Sequence, residues 1–446
     1  MMNLQTQWSL MATARRQKGA VSVLMAISLV AITMMAALAL DGGHMLLNKT
    51  RLQNAVDAAA LSGAKTLSQV AGGSNVASTT RTAALRTLTL NAGAEGNDEL
   101  EAKVGGSPED FAVVELATKV DGPFDYPGPT DAKFVRVSVP SYQLTGFFWG
   151  AVQALGAGGL GDKAVAAIAT AGPSPTSPCD LAPLMVCGNS AAYDPDAGMF
   201  WGYHFGDPVV LKTAAGDKSP IGPGNFQLLD FGSGGKSVED GLAGGIKVCP
   251  GDTVKTEPGN KVGPTSHGLN TRFGIYKGPV NASDYPPDLV TTSSQPGLKA
   301  NGLVPEYLGQ TVTSSDGSLS AGGIGILDYN DWRASTADCV AGVGSCQSGG
   351  VFERRMLKVV IGNCTGKDGG SSSIPVLGFG CYFVVQPVDD GGKDSEIFGQ
   401  FVQECEGDSV AGPEPSTNSG PQIIQLYKTY IDDPDDPNSV IPSTDS

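Results

Sequence analysis

Cysteine is the residue type with the clearest chemical potential in this chain. Eight cysteines occur in 446 residues, and all of them lie beyond residue 178. Zinc is one possible use, but no C-x-x-C pair occurs and the histidines are scattered, at His44, His204 and His267. An even number of cysteines in an exported segment instead predicts disulfides. The candidates are Cys179, Cys187, Cys249, Cys339, Cys346, Cys364, Cys381 and Cys405.

The spacing of these cysteines leaves their connectivity open. Cys179 with Cys187, and Cys339 with Cys346, are near enough in sequence to close small loops. The other pairings cannot be read from the sequence, because eight cysteines allow many connectivities.

Two further motifs suggest binding chemistry at first sight. "FQLLDFGSGGKS", residues 226–237, resembles a strand that enters a phosphate loop, but Asp230 occupies the position where that motif needs its first glycine. "DGSLS", residues 316–320, matches an Asp-x-Ser-x-Ser metal motif, yet "GQTVTSS" before it is no hydrophobic strand. Both read as turns or loops, and no G-x-S-x-G elbow occurs. We therefore expect no catalytic residue, no bound cofactor and no metal ion.

An uncharged segment near the N-terminus must position everything that follows. Ala20–Leu40, "AVSVLMAISLVAITMMAALAL", contains no Asp, Glu, Lys or Arg and is long enough to cross a bilayer as a helix. Basic residues Arg15, Arg16 and Lys18 precede it, and Asp41 is the first charge after it. This asymmetry predicts a single-pass anchor with a cytoplasmic N-terminus, residues 1–19, and an exported remainder. The alternative is a cleaved secretory signal with Ala37-Leu38-Ala39 at its exit.

The apolar helix is predicted to continue beyond the membrane. Met45, Leu52, Val56, Ala59, Gly63 and Leu67 recur at helical spacing. Gly42 and Gly43 favour a bend at the junction, since glycine weakens a helix. A stripe of mainly small side chains allows close helix packing, either on partner subunits or on the protein's own domain. We define this helix-docking stripe as Leu52, Val56, Ala59, Ala60, Gly63 and Leu67.

These N-terminal features resemble a known family. The basic residues, Gly19, the apolar span, Asp41-Gly42-Gly43 and "RLQNAVDAAALSGA", residues 51–64, are similar to the N-terminal module of TadG-like proteins of the Tad (Flp, tight-adherence) pilus system. The resemblance implies a bacterial envelope protein that serves pilus assembly. It also implies other pilus or secretion components as partners, and the inner membrane with a periplasmic bulk as the location, with incorporation into a surface pilus left open.

The resemblance also bears on processing. Prepilin-type precursors are cut after a glycine that follows basic residues, which here implies cleavage between Gly19 and Ala20. Such proteins usually carry glutamate at the fifth mature position, where this chain has Leu24. We therefore expect a retained anchor.

The exported part is predicted to be α+β. Residues 76–91 form a second helix, residues 111–120, 134–139 and 164–171 form strands, and residues 143–155 form a helix between the last two strands. "AGPSPTSP", residues 171–178, reads as a linker. The predicted regions are thus 1–19, the transmembrane helix 20–40, a TadG-like α+β region 41–172, a cysteine-containing β-rich domain 173–430 and an acidic flexible tail 431–446.

Composition narrows the functional class. The net charge of −16 argues against a nucleic-acid partner, because phosphate backbones require clustered Lys and Arg. No small-molecule substrate is expected. The prediction is a structural, non-enzymatic pilus-assembly component that acts through helix and protein contacts, either as a minor pseudopilin or as an assembly factor. The alternatives are a surface or pilus-tip adhesin and, with less support, an exported hydrolase.

Overall fold

The fold is described from a computed structural model of the chain. The described residues are 20–154, 162–175, 178–194, 197–212, 221, 225–232, 234–249, 251–367, 369–389, 395–406, 420–432 and 440–443. The predicted cytoplasmic segment with Gly19, and most of the predicted acidic tail, lie outside these residues.

The chain separates into two compact units. The first contains the described residues of Met1–Leu52 and Pro140–Ala166, and the second those of Gln53–Val139 and Ala167–Ser446. The combination of a long apolar N-terminal helix, mixed sheets and four disulfides is consistent with the predicted α+β class.

Eight α-helices are present in the described residues. They are α1 (Ala20–Val70), α2 (Val76–Ala92), α3 (Asp98–Val104), α4 (Pro108–Phe111), α5 (Trp149–Ala154), α6 (Gly235–Ala243), α7 (Val262–Asn270) and α8 (Tyr329–Val340). A short 3₁₀ helix, Thr271–Phe273, follows α7.

The strands are short apart from a few central ones. The described strands are β1 (Val113–Ala117), β2 (Phe134–Gln143), β3 (Ala164–Pro175), β4 (Met185–Cys187), β5 (Met199–Phe200), β6 (Tyr203–His204), β7 (Pro208–Lys212), β8 (Asn225–Leu229), β9 (Thr253–Pro258), β10 (Lys299–Asn301), β11 (Val304–Tyr307), β12 (Gln310–Thr311), β13 (Thr313–Ser315), β14 (Ser318–Ala321), β15 (Ile324–Ile326), β16 (Met356–Gly362), β17 (Ser373–Val384), β18 (Ile397–Val402), β19 (Glu404–Glu406), β20 (Gly420–Tyr427), β21 (Tyr430–Asp432) and β22 (Val440–Pro442).

Helix α1 is one uninterrupted helix of 51 residues. It passes through Gly42 and Gly43 without a break, so the expected bend is not an interruption of the helix. Open space surrounds both glycines, since a Cβ atom at either would meet nothing within 4 Å. Helical hydrogen bonding along the backbone outweighs the modest propensity cost of two glycines, about 1 kcal/mol each.

The second half of α1 packs inside the chain. Every member of the helix-docking stripe is buried. A Cβ atom at Gly63 would lie 3.0 Å from Val135 of β2 and 3.2 Å from Ala84 of α2, so glycine permits this close approach. The stripe thus follows the self-packing alternative, and its side chains are inaccessible to a partner helix in this fold.

A five-stranded sheet, in the order β1-β2-β3-β20-β19, belongs to the same α+β region. β20 pairs antiparallel with β3, with Gln422 opposite Pro175 and Tyr427 opposite Thr170. The predicted linker at residues 171–178 therefore begins as strand, because β20 supplies a partner for its backbone. The pairing also crosses the predicted boundary at residue 173.

A seven-stranded sheet organises the cysteine-containing part. Its main path is β4-β16-β17-β18-β7, with β9 paired to β17 and β8 paired to β9. Two three-stranded sheets, β10-β11-β12 and β13-β14-β15, accompany it. The first two residues of "DGSLS", Asp316 and Gly317, form the turn between β13 and β14 at φ 50° and 80°, and its last three residues lie in β14. This loop is a hairpin turn, as its Ser/Gly content indicates.

All eight cysteines form disulfides. The pairs are Cys179–Cys249, Cys187–Cys364, Cys339–Cys346 and Cys381–Cys405. The small loop expected from Cys339 and Cys346 is confirmed, whereas Cys179 pairs with Cys249 rather than with its neighbour Cys187. Cys381 lies in β17 and Cys405 in β19, so this bond joins the seven-stranded sheet to the five-stranded sheet.

The predicted helix at residues 143–155 is shorter than expected. β2 extends to Gln143, and α5 begins only at Trp149. The intervening amides of Phe147 and Phe148 donate to the carboxylate of Asp41, at 2.9 and 2.8 Å. These amides are therefore satisfied without helix formation.

We expect Ala59→Trp to destabilise the fold, because Ala59 is fully buried and a close-packed core does not absorb an indole ring. The loss should be about 3 kcal/mol or more. Leu90→Trp on the exposed surface of α2 is the matched control and should change stability by about 0.5 kcal/mol or less. Denaturant unfolding of the detergent-solubilised full chain measures both, and equal midpoints would contradict the packing.

Candidate functional site: the end of the apolar helix

The first half of α1 presents apolar side chains on all of its sides. Most of the large residues between Val21 and Leu40, including Leu24, Leu29 and Ile32, are more than half exposed. This segment is long and apolar enough to cross a membrane, by length and composition. The apolar surface of this segment is therefore exposed in the isolated chain.

A buried ion pair lies directly after this segment, within the first unit. Asp41 is 2% exposed and Lys163 is 4% exposed. The Lys163 ammonium donates to Asp41 Oδ1 at 3.0 Å, to the Thr145 carbonyl at 3.0 Å, and lies 2.9 Å from His44 Nδ1. The Asp41 carboxylate and the Thr145 carbonyl thus accept from the ammonium, which stabilises the buried charge.

The Asp41 carboxylate is equally well satisfied. It accepts from Lys163 and from the backbone amides of Phe147 and Phe148. Burial alone raises the pKa of Asp41, but the Phe147 amide, Lys163 and the Phe148 amide lower it, and the net pKa lies below the usual value. Asp41 is consequently held in its charged form.

Further polar contacts extend along α1 from this pair. The Asn48 side-chain amide lies 3.0 Å from His44 Nε2, and the Tyr142 hydroxyl lies 3.4 Å from Asn48 Oδ1. Asp41, His44 and Asn48 occupy one helix face because they are three and seven residues apart. That spacing was a readable signal for the site. Lys163 carried no such signal, since a single lysine before a strand is uninformative.

A second group of charges surrounds a cavity of about 360 Å³ within the second unit. Glu353, Glu404 and Glu406 line it, and the last two form ion pairs with Lys133 and Lys65 respectively. Glu353 has φ 57°, a left-handed conformation that is uncommon for residues other than glycine. The Glu406 amide donates to Glu353 Oε2 at 2.8 Å.

The Glu353 carboxyl titrates near neutrality. Burial and then the neighbouring Glu406 carboxylate raise its pKa to about 7, against the lowering effects of Lys358, the Glu406 amide and Lys65. No sequence pattern marks Glu353, because the charged residues around it come from distant segments.

The remaining sequence motifs occupy separate places. Ala20 is the first residue of α1, whereas Gly19 lies outside the described residues. Lys236 of the phosphate-loop-like segment pairs with Asp240 on the exposed surface of α6. His204 lies in β6, and His267 Nδ1 is 3.0 Å from Glu239 Oε2. Within the described ranges, no three His, Cys, Asp or Glu side chains are grouped to hold a metal ion.

The apolar helix and its packed continuation fit a membrane-anchored protein. Residues 19–66 match the family model of TadE/G-like Flp pilus-assembly (Tad) proteins. The resemblance predicted from the sequence is confirmed over this segment, and it supports a pilus-related role. No curated protein and no solved structure matches the chain.

Asp41→Asn should destabilise the first unit by about 2–3 kcal/mol at pH 7, because it leaves the Lys163 ammonium buried without its counter-charge. Asp41→Asn combined with Lys163→Met should lose less than the sum of the single changes. Thermal unfolding in nanodiscs measures the cycle.

The pH dependence of this effect follows from the lowered pKa. A depressed Asp41 pKa stabilises the fold above the unfolded-state pKa, and that contribution disappears as pH falls through the folded-state value. The difference between wild type and Asp41→Asn should therefore shrink below about pH 4. A strictly additive cycle at pH 7 would contradict the ion pair.

Glu353→Gln should stabilise the protein at pH 8. Since the folded state holds the Glu353 proton more tightly than the unfolded state, wild-type stability should fall as pH rises from about 4.5 to about 7. The free energy of unfolding of the variant should not fall over this pH range, so above about pH 7 the variant should be about 1–3 kcal/mol more stable than wild type. Glu109→Gln, exposed on α4, controls for loss of a charge. Identical pH profiles of wild type and Glu353→Gln would contradict the raised pKa.

Proposed function

We propose that this protein is a membrane-anchored structural component of Tad/Flp-type pilus assembly. It holds its exported part beside the inner membrane through α1, with the N-terminus in the cytoplasm and the bulk in the periplasm, and it acts by protein contacts rather than catalysis. The observation that carries the proposal is the family match at residues 19–66. This match includes the exposed apolar segment of α1 and most of the packed second half of the helix.

The choice between pseudopilin and assembly factor depends on what the N-terminal helix can contact. A pseudopilin enters a filament through its N-terminal helix, and in this chain the second half of that helix is already covered by α2 and β2. The first half alone is free for lateral contacts. Leu24 in that half stands where prepilin-type proteins usually carry glutamate, which favours an assembly factor that is retained in the membrane.

An adhesin is the second candidate, and one observation favours it. Leu303, Leu308 and Ile324 are about half exposed at turns of the two small sheets. Exposed apolar side chains on a disulfide-bonded domain suit contact with a surface or partner.

One experiment separates these functions in the full chain. Leu24→Lys, Leu29→Lys and Ile32→Lys together should cost about 8–10 kcal/mol of membrane-insertion free energy. We expect the protein to leave the membrane fraction and piliated cells to become rare, as counted by electron microscopy and in sheared fractions. Leu303→Lys, Leu308→Lys and Ile324→Lys together form the control and should leave piliation intact.

The outcomes are distinct. Normal piliation by the membrane-span variant, with the protein absent from the membrane, would refute an anchored assembly role. Intact piliation with lost surface attachment in the control variant would identify an adhesin. Wild-type piliation and attachment in the control variant would leave the assembly role and refute the adhesin at this surface.

A further inference from the structure

Two aromatic side chains are exposed where the apolar segment of α1 ends. Phe147 is 60% exposed and Phe148 is 37% exposed, just before α5. Both lie in the first unit, with the uncovered residues of α1. An exposed apolar cluster beside an exposed apolar helix marks one continuous interaction surface.

The position of these aromatic residues is fixed by Asp41. Its two carboxylate oxygens accept the Phe147 and Phe148 amides, so the backbone of this segment is tied to the first charged residue after the apolar stretch. The Phe147 ring also packs against the His44 ring, with centroids 5.2 Å apart, and lies 5.5 Å from the Lys163 ammonium. The Phe147 ring is therefore held at the end of the apolar stretch, with the Phe148 backbone beside it.

The length of α1 gives the depth of this point. A helix rises about 1.5 Å per residue, so Ala20–Leu40 spans about 30 Å, the thickness of the hydrocarbon core. Asp41 then falls at the boundary between acyl chains and headgroups. Leu46 and Leu47, further along α1, are also exposed and extend apolar surface into the interfacial layer.

We propose that Phe147 and Phe148 form a membrane-interface anchor that inserts into the headgroup region of the phospholipid bilayer crossed by α1. This inference rests on the proposed membrane anchoring. Aromatic side chains favour this layer, because it accepts an apolar ring together with a polar edge. The polar groups beneath the rings oppose no insertion, since Asp41 and Lys163 neutralise each other and are buried. A second contact beside the helix fixes its depth and its rotation about its axis.

The test uses full-length protein in vesicles of phosphatidylcholine and phosphatidylglycerol. All native cysteines are disulfide-bonded, so a new cysteine accepts a single environment-sensitive fluorophore. Phe147→Cys carries the probe at the proposed anchor, Val30→Cys carries it in the span, and Leu90→Cys carries it on exposed α2. Nitroxide lipids labelled near the headgroup or deep in the acyl chain, and aqueous iodide, quench each probe according to depth.

We expect the Phe147 probe to be blue-shifted and to lose intensity with the shallow nitroxide, the Val30 probe with the deep nitroxide, and the Leu90 probe only with iodide. A Phe147 probe quenched only by iodide, beside a lipid-quenched Val30 probe, would overturn the interface anchor and leave the span intact. A Phe147 probe that neither iodide nor either nitroxide lipid quenches would overturn the interface anchor and indicate that protein buries this position. A Val30 probe quenched only by iodide would refute the span itself, and this inference with it.

Discussion

The solvation of one carboxylate constrains how the first unit is built. Asp41 follows an apolar stretch and is buried, so its charge must be balanced by chain segments far away in sequence. Lys163, which neutralises the Asp41 carboxylate, directly precedes β3. The Phe147 and Phe148 amides, which donate the remaining hydrogen bonds to this carboxylate, directly precede α5. Asp41 thus fixes the starts of both β3 and α5 against the same turn of α1.

The second unit depends on long-range closure. β20 pairs with β3, which lies far upstream in the sequence, and the Cys381–Cys405 bond joins that sheet to the seven-stranded one. Gly172 allows the Phe134 ring to lie against β3, since a Cβ there would approach the ring to 2.2 Å. The Phe134 ring in turn contacts Tyr427 of β20 edge to face. Small and aromatic side chains thus lock the return strand in register.

Local signals in the sequence were sufficient for local structure. The uncharged span, the helical spacing of the stripe and the alternation in β1 and β2 are periodic patterns, and they predicted helices and strands at nearly the observed positions. The Cys339–Cys346 loop was also within reach of sequence spacing. Three pairings could not be predicted from the sequence: Lys163 with Asp41, Cys249 with Cys179, and β20 with β3. Each depends on tertiary proximity, which leaves no periodic trace in a single sequence.

The pairing of β20 with β3 has a consequence for folding during biosynthesis. β20, Gly420–Tyr427, is translated long after α1 and β3, because it lies far downstream of both in the sequence. Leu61 and Lys65 of α1 line a small cavity together with Ile423 and Ile424 of β20, so this flank of α1 remains exposed to solvent until β20 has been synthesised and has paired. Non-local pairing of this kind is slow to form. During that interval this flank of α1 is open to chaperones or other proteins, and the pairing of β20 with β3 then covers it.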